Sequence, residues 1–300
     1  MCYNFSMKEN LTPQDFGDRK AWEETFNTME KQGSVGTTQS LDYKDALWYK
    51  ENVETFKKEK FPEGSIVENY DDLIFDFDGV LYDSTKPAYL AAKLALEKFA
   101  PTNTHAHLSY EDVANSYHSP FQDYYKRFGI VFDTPEKAKE FQDYYQQVIY
   151  PQVKKEVGEP KFYDDALITL EKLREEKVKN PNLKVHLVSA GKEDYIREKL
   201  NEIGYLDVFT DMHLSAGDKK KSIAEIVEKS KSKERSVMIG DSPSDIKDAH
   251  SNQGVRSIAV ARGQRETERL EHFLPSYVVN NLEEIFDLKS YAKELAEKDK

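Results

Sequence analysis

The sequence predicts an α/β protein: a mostly parallel sheet with helices on both faces and a separate helical cap inserted into it. Three observations lead there. Short apolar runs recur and each is followed by a small or acidic residue. Helical stripes lie between them, and one long stretch after the first run has helical periodicity and no strand.

Residues 1–69 read as a charged helical extension. Trp22, Phe26 and Met29 follow i, i+4, i+7 spacing, as do Tyr49, Val53 and Phe56, with turn-forming residues Gln32 to Thr38 between them. Two such helices bury little alone, so they are expected to pack on the core or to mediate self-association. At Asp71 the character changes. Leu73 to Phe77 is a short apolar run suited to a buried strand, ending in Asp78-Gly79. Comparable runs are Val185 to Val188, Val237 to Ile239 and Ser257 to Val260. The intervening helices are marked by Ile196, Leu200 and Ile203 before Gly204, by Ile223, Ile226 and Val227, and by Ile246 and Ala249. The core is therefore read as 70–85 and 165–290. Residues 86–164 make the cap: Tyr89, Ala92, Leu96 and Phe99 form one stripe, and Ala138, Phe141, Tyr145 and Val148 another. Thr134-Pro135 offers a capping side chain and a proline at the first helical position. Glu228 to Arg235 reads as a solvated helix end.

Composition narrows the function classes. Lys and Arg total 43 against 55 for Asp and Glu, a net charge of −12, which disfavours nucleic acid because phosphate backbones reward basic surfaces. A hydrophobic fraction of 38% supports a packed core. The one cysteine, Cys2, excludes internal disulfides and cysteine-rich zinc sites. No apolar run approaches the ~20 residues that span a bilayer, and the start lacks the basic-then-apolar order of a secretory signal. A soluble cytoplasmic protein with no nucleic-acid or membrane partner is expected.

Ligands of parallel sheets bind beyond the carboxyl ends of the strands, and candidate residues collect there. Asp76 and Asp78 end the first strand. Val188-Ser189-Ala190-Gly191 brings a hydroxyl and small-residue amides to a helix start, a natural anion cradle. Lys219-Lys220-Lys221 precedes the helix of Ile223, and Gly240-Asp241-Ser242-Pro243-Ser244-Asp245 adds two more carboxylates. Read singly, each has a plainer role: acids that end strands, a helix cap, a surface lysine run. Four such segments at successive strand ends favour a shared site.

From Asp71 to Glu284 the chain resembles the haloacid dehalogenase superfamily, in its phosphatase and phosphomutase branch with a helical cap (phosphoglycolate phosphatase and β-phosphoglucomutase-like). The motifs occur in order: Asp76 to Ser84, Ser189, Lys221, then Gly240-Asp241 through Asp245. The resemblance implies a Rossmann-like core, with Asp76 as nucleophile forming an aspartyl-phosphate and Asp78 as general acid and base. Dehalogenase members lack the second Asp, so phosphate chemistry is implied. It further implies Mg²⁺ held by Asp76, Asp241 and the backbone carbonyl of Asp78, with phosphate contacts from Ser189, Ala190 and Lys221. Asp245 would orient Lys221 or a metal-bound water from behind. Lys221 is chosen from the three lysines because it directly precedes the helical stripe. His250 and Asn252-Gln253 stand where relatives usually carry small residues. His118, Phe121, Tyr124 and Tyr125 are read as cap core and surface that could also meet substrate.

The expected function is a Mg²⁺-dependent phosphatase acting on a small phosphorylated metabolite, since a lid excludes bulky substrates. A sugar phosphomutase of the β-phosphoglucomutase type would use the same residues. A non-catalytic scaffold that binds a partner through its N-terminal helices is the third reading, and the grouped carboxylates argue against it.

Overall fold

The computed structural model describes residues 43–100, 125, 130, 132–262 and 267–298. The stripe at Trp22 to Met29, the turn at Gln32 to Thr38, and His118, Phe121 and Tyr124 lie outside the described residues.

Six parallel strands form the main sheet: β1 (Asp72–Phe75), β4 (Lys184–Val188), β5 (Asp211–His213), β6 (Ser236–Gly240), β7 (Arg256–Val260) and β8 (Tyr277–Val279). Their order is β5-β4-β1-β6-β7-β8, with β1 buried at the centre. Chain order runs outward from β1 through β4 to β5, then crosses to β6 on the other side. That reversal puts the switch point, where ligands bind in such sheets, between β1 and β6. A second ribbon pairs β2 (Tyr82–Asp83) antiparallel with β3 (Lys161–Phe162).

Strand alternation sorts the core into two faces. Leu73 and Phe75, with Val185, Leu187, Val237 and Ile239, pack on one side against α6 (Asp164–Lys179) and α7 (Glu193–Glu202). Ile74 and Met238 point the other way, against α8 (Lys219–Val227) and α9 (Pro243–His250). Helices therefore cover both faces, as expected. Among the described helices none is long and apolar enough to cross a membrane.

The anticipated strands were four. β5 and β8 escaped because each is a three-residue edge strand, too short for a periodic signal. β2 and β3, of two residues each, are shorter still.

The cap comprises α3 (Thr85–Phe99), α4 (Pro135–Tyr144), a π-helical turn at Tyr145–Ile149 and α5 (Tyr150–Val157). Thr134 caps α4 as its spacing predicts, accepting from the Lys137 amide at 3.3 Å. Ala92, Leu96, Phe141 and Tyr125 are buried together in a separate cap core. The second stripe departs from expectation at its end: Val148 is 41% exposed, whereas Ile149 and Val153 are buried. A π turn closes i to i+5 and inserts one extra residue, which moves the inward face on by one.

At the amino-terminal side, α1 (Tyr43–Phe56) docks on the body. Trp48 lies 5.5 Å from the His250 ring and Tyr49 5.1 Å from His272, while Phe56 joins the main core. Gly64 then bridges to Leu288, and α11 (Tyr291–Lys298), beyond the expected end of the core at 290, buries Tyr291 and Ala292 in the same cluster. Of the two modes expected for the N-terminal helices, the described one packs on the core.

Candidate active site

Register brings the site together. Phe75 pairs with both Leu187 and Ile239, so the residues that follow β1, β4 and β6 emerge side by side at one edge. They are Asp76, Ser189 and Asp241, all buried.

Asp76 is anchored by its neighbours. Its Oδ1 accepts from the Phe77 amide at 2.7 Å, and its Oδ2 pairs with Lys219 Nζ at 2.7 Å. Lys219 Nζ also donates to Asp245 Oδ1 at 2.8 Å. The other Asp245 oxygen accepts from the Ser242 amide at 3.1 Å and from Ser242 Oγ at 2.6 Å, within a capping box that starts α9. Asp245 thus spends its carboxylate on Lys219 and Ser242, and it orients the lysine from behind.

The lysine that meets Asp76 is Lys219, and Lys221, the one chosen from the sequence, does not. Asp218 caps α8 through the Lys221 amide, so Lys219 is the first helical residue. At ~100° per residue Lys221 turns to the far side; its side chain is 76% exposed and its ammonium lies 3.9 Å from Glu225. The sequence held the needed signal. Lys219, Ile223 and Ile226 are spaced i, i+4, i+7, so the buried stripe itself identifies the inward lysine.

A turn after β1 carries Asp78 to the same edge. Gly79 sits at φ +78°, in the left-handed region. A Cβ there would also collide with the Asp241 carboxylate, so only glycine permits Asp241 this approach. Burial pushes the Asp78 carboxyl up, against a hydrogen bond from Ser84 and the charge of Lys219. A raised carboxyl that can hold a proton suits a general acid. Ser189 lies close by: a Cβ placed on Gly191 would meet Ser189 Oγ at 3.2 Å and Asp78 Oδ2 at 3.5 Å. The Ser189 hydroxyl accepts from the Gly191 amide at 3.0 Å. Ala190 is exposed at the strand end, and α7 begins at Glu193 with Lys192 as its cap.

From the cap, Tyr145 is coupled electrostatically to Asp78. Burial, against a hydrogen bond with Tyr125, pushes its hydroxyl up to about 12, and the Asp78 charge adds to the shift. The π turn that displaces Val148 starts at this residue.

Among the described contacts, carboxylates outnumber cations in the cluster. Asp76, Asp241 and Asp245 bring ligand oxygens within 4.8 Å of one another, and against these three carboxylates Lys219 is the cation whose contacts are described. Burial pushes Asp76 well up despite Lys219, and repulsion from Asp245 and Asp241 adds to it. Lys219 goes up too: burial opposes its charge, but Asp245 and Asp76 outweigh that cost. A buried oxygen-rich cluster with surplus negative charge fits a hard divalent cation. Asp76 and Asp241 directly follow β1 and β6, and their carboxylates, at the strand ends, could hold it.

Comparison with known proteins agrees with this geometry. The haloacid dehalogenase-like hydrolase family matches residues 73–260, from β1 through β7 and across every residue of the site. The chain belongs to that family. Among solved structures, a haloacid dehalogenase-like hydrolase of Streptococcus pneumoniae is 16% identical with a TM-score of 0.54, covering 73% of this chain and 97% of its own. A predicted phosphoglycolate phosphatase of Haemophilus somnus is 17% identical with a TM-score of 0.54, over 72% and 96%. A predicted phosphatase of Clostridium acetobutylicum is 23% identical with a TM-score of 0.51, over 76% and 99%. At these identities the likeness is one of fold. No curated protein sequence matches the chain.

Two positions that departed from the family pattern now have partners. His250 Nε2 meets the Phe273 carbonyl at 2.9 Å while its ring faces Trp48. The Asn252 amide donates to the carbonyls of Lys220 and Asp248.

Proposed function

We propose that the protein is a Mg²⁺-dependent phosphatase that hydrolyses a small phosphorylated metabolite through an aspartyl-phosphate on Asp76. The observation that carries this reading is the pairing of two differently placed carboxylates. Asp76 is locked by Lys219 and the Phe77 amide, while Asp78, two residues on and just before the left-handed Gly79, stands beside Ser189 and Gly191.

In this reading Asp76 Oδ attacks phosphorus and the ester oxygen departs, taking a proton from Asp78. Asp78 then accepts a proton from the water that attacks the phosphorus of the intermediate, and inorganic phosphate leaves with Asp76 restored. Lys219 and Ser189 stabilise charge on the transferring oxygens, a role given to Lys219 rather than Lys221 on geometry. Asp76, Asp241 and the carbonyl of Asp78 would hold Mg²⁺, which offsets repulsion between the nucleophilic carboxylate and the phosphate. Residues 70–85 and 165–290 are taken as the catalytic core and 86–164 as its lid, in a cytoplasmic enzyme of small-molecule metabolism.

The test is turnover of a panel of phosphorylated metabolites by the purified protein with Mg²⁺, including β-glucose 1-phosphate with a bisphosphate primer. Release of free phosphate is expected. Isomerised sugar would replace this reading with a mutase, and silence across the panel would leave a binding protein. Asp76→Asn should cost ~10³-fold or more in kcat with the fold intact, because it keeps the shape and removes the nucleophile.

A further inference from the structure

Arg262, the second residue beyond β7, is drawn into the base of the cap. Its Nη1 donates to both oxygens of Asp165, at 2.7 and 2.5 Å, and its Nη2 donates to the carbonyl of Val80 at 2.8 Å. The guanidinium carbon lies 4.0 Å from the centroid of the Tyr163 ring. These partners belong to the two connections between core and cap. Val80 follows Asp78 by two residues in the turn that leads to β2. Tyr163 joins β3 to α6, Asp165 lies in the first turn of α6, and the ribbon of β2 and β3 ties the connections together through the pairing of Tyr82 with Phe162. Asp165 also accepts from the Leu282 amide at 2.7 Å. One planar group therefore holds the outgoing chain, the returning chain and the end of β7 in register.

Its cost argues that position matters here more than stability. Both side chains of the ion pair are 9% exposed, and the buried Arg262 Nε has no hydrogen-bond partner among the described residues. A buried ion pair with an unsatisfied donor stabilises little relative to apolar packing. What the arginine supplies, and a lysine cannot, is a rigid fork that meets a carboxylate and a carbonyl together.

We propose that Arg262 is a positioning residue: it fastens the Val80 turn to the Tyr163–Asp165 connection, and so sets Asp78 against the leaving oxygen of the substrate. The inference rests on the phosphatase reading for its catalytic part, since Asp78 acts there as the general acid.

The consequence depends on the leaving group. An alkyl phosphate needs its departing oxygen protonated, whereas p-nitrophenyl phosphate leaves as a stable phenolate. In Arg262→Lys and Arg262→Met, kcat/KM, which covers the steps up to departure of the leaving group, should fall ~10-fold or more for an alkyl phosphate and less than ~3-fold for p-nitrophenyl phosphate. Hydrogen exchange on the intact protein should quicken at residues 80–85 and 161–167, with 236–241 unchanged. Arg262→Met leaves Asp165 buried and unpaired, so the pair Arg262→Met with Asp165→Asn serves where the single variant does not fold. Equal losses on the two esters, full rescue by Arg262→Lys, or unaltered exchange at both connections would overturn the proposal. If the wild-type protein turns over no phosphate ester, the phosphatase reading fails, and exchange at the two connections still decides whether Arg262 holds them.

Discussion

Lys219 and Lys221 are identical in type and two residues apart, yet one is held between two carboxylates and the other points to solvent. Helical rotation separates them. Lys219→Met should therefore lower kcat by ~10²-fold or more, because it removes the cation that faces the transferring group in the proposed reaction. Lys221→Met should stay within ~2-fold, and parallel kinetics of the two variants checks the assignment. On the opposite edge of the sheet, Asp72 is buried with His186 Nε2 at 3.0 Å and Ser230 Oγ at 2.6 Å. Ser230 falls in the segment read as a solvated helix end, so this group was missed; serine in a charged stretch gives no sign of a buried partner. Burial opposes the Asp72 carboxylate, but the hydrogen bonds from His186 and Ser230 outweigh it and hold its carboxyl below the ordinary 3.8. The unfolded chain then binds this proton more readily than the folded one. Asp72 stabilises the fold fully above the ordinary value, and the contribution is lost as pH falls through the lowered one. Thermal midpoints from pH ~6 down to ~3 should show Asp72→Asn less stable than wild type at the upper end and converging with it at the lower.

At the scale of elements, α1 shows how an extension outside the family pattern becomes part of the body. Trp48, Tyr49 and Val53 pack against the main core, and Asp45 pairs with Lys247 of α9 at 2.7 Å. Apolar packing should dominate. Trp48→Ala is expected to cost ~1–3 kcal/mol, below the range for a fully buried tryptophan because Trp48 is only partly covered. Asp45→Asn should cost under ~1 kcal/mol, as half-exposed ion pairs do. Urea denaturation of both variants checks the ranking. Amphipathic spacing alone made α1 legible, but the identity of its receiving surface was not. His250 looked like a departure from the family pattern when considered within α9, and Trp48, some two hundred residues earlier, accounts for it. The π turn is similar: Val148 and Ile149 are both apolar, so a uniform 3.6-residue period chose the wrong one.

For the molecule as a whole, the surplus of carboxylates at the switch point predicts that a divalent cation stabilises the folded state. With Mg²⁺ at ~100 times its Kd the gain is ~2.7 kcal/mol, seen as a rise in Tm that Asp241→Asn should abolish. Ca²⁺ should raise Tm without supporting turnover, since it takes more oxygens in looser geometry and would draw both oxygens of Asp76 away from the proposed attack. A chelator should remove both effects. The sequence by itself determined the fold class, the inserted cap, and the acidic residues at the ends of β1 and β6. Those features are local: a strand period, a helical stripe, and a carboxylate beside a glycine are all written in neighbouring residues. Tertiary structure decided which lysine meets Asp76, how Asp245 divides its oxygens between Lys219 and Ser242, and why Asp72, His250 and Arg262 are where they are. Each of these depends on partners that lie far apart in the chain, and their distance is set by strand order and by the rotation of a helix on the sheet. No pattern in a single segment carries that information.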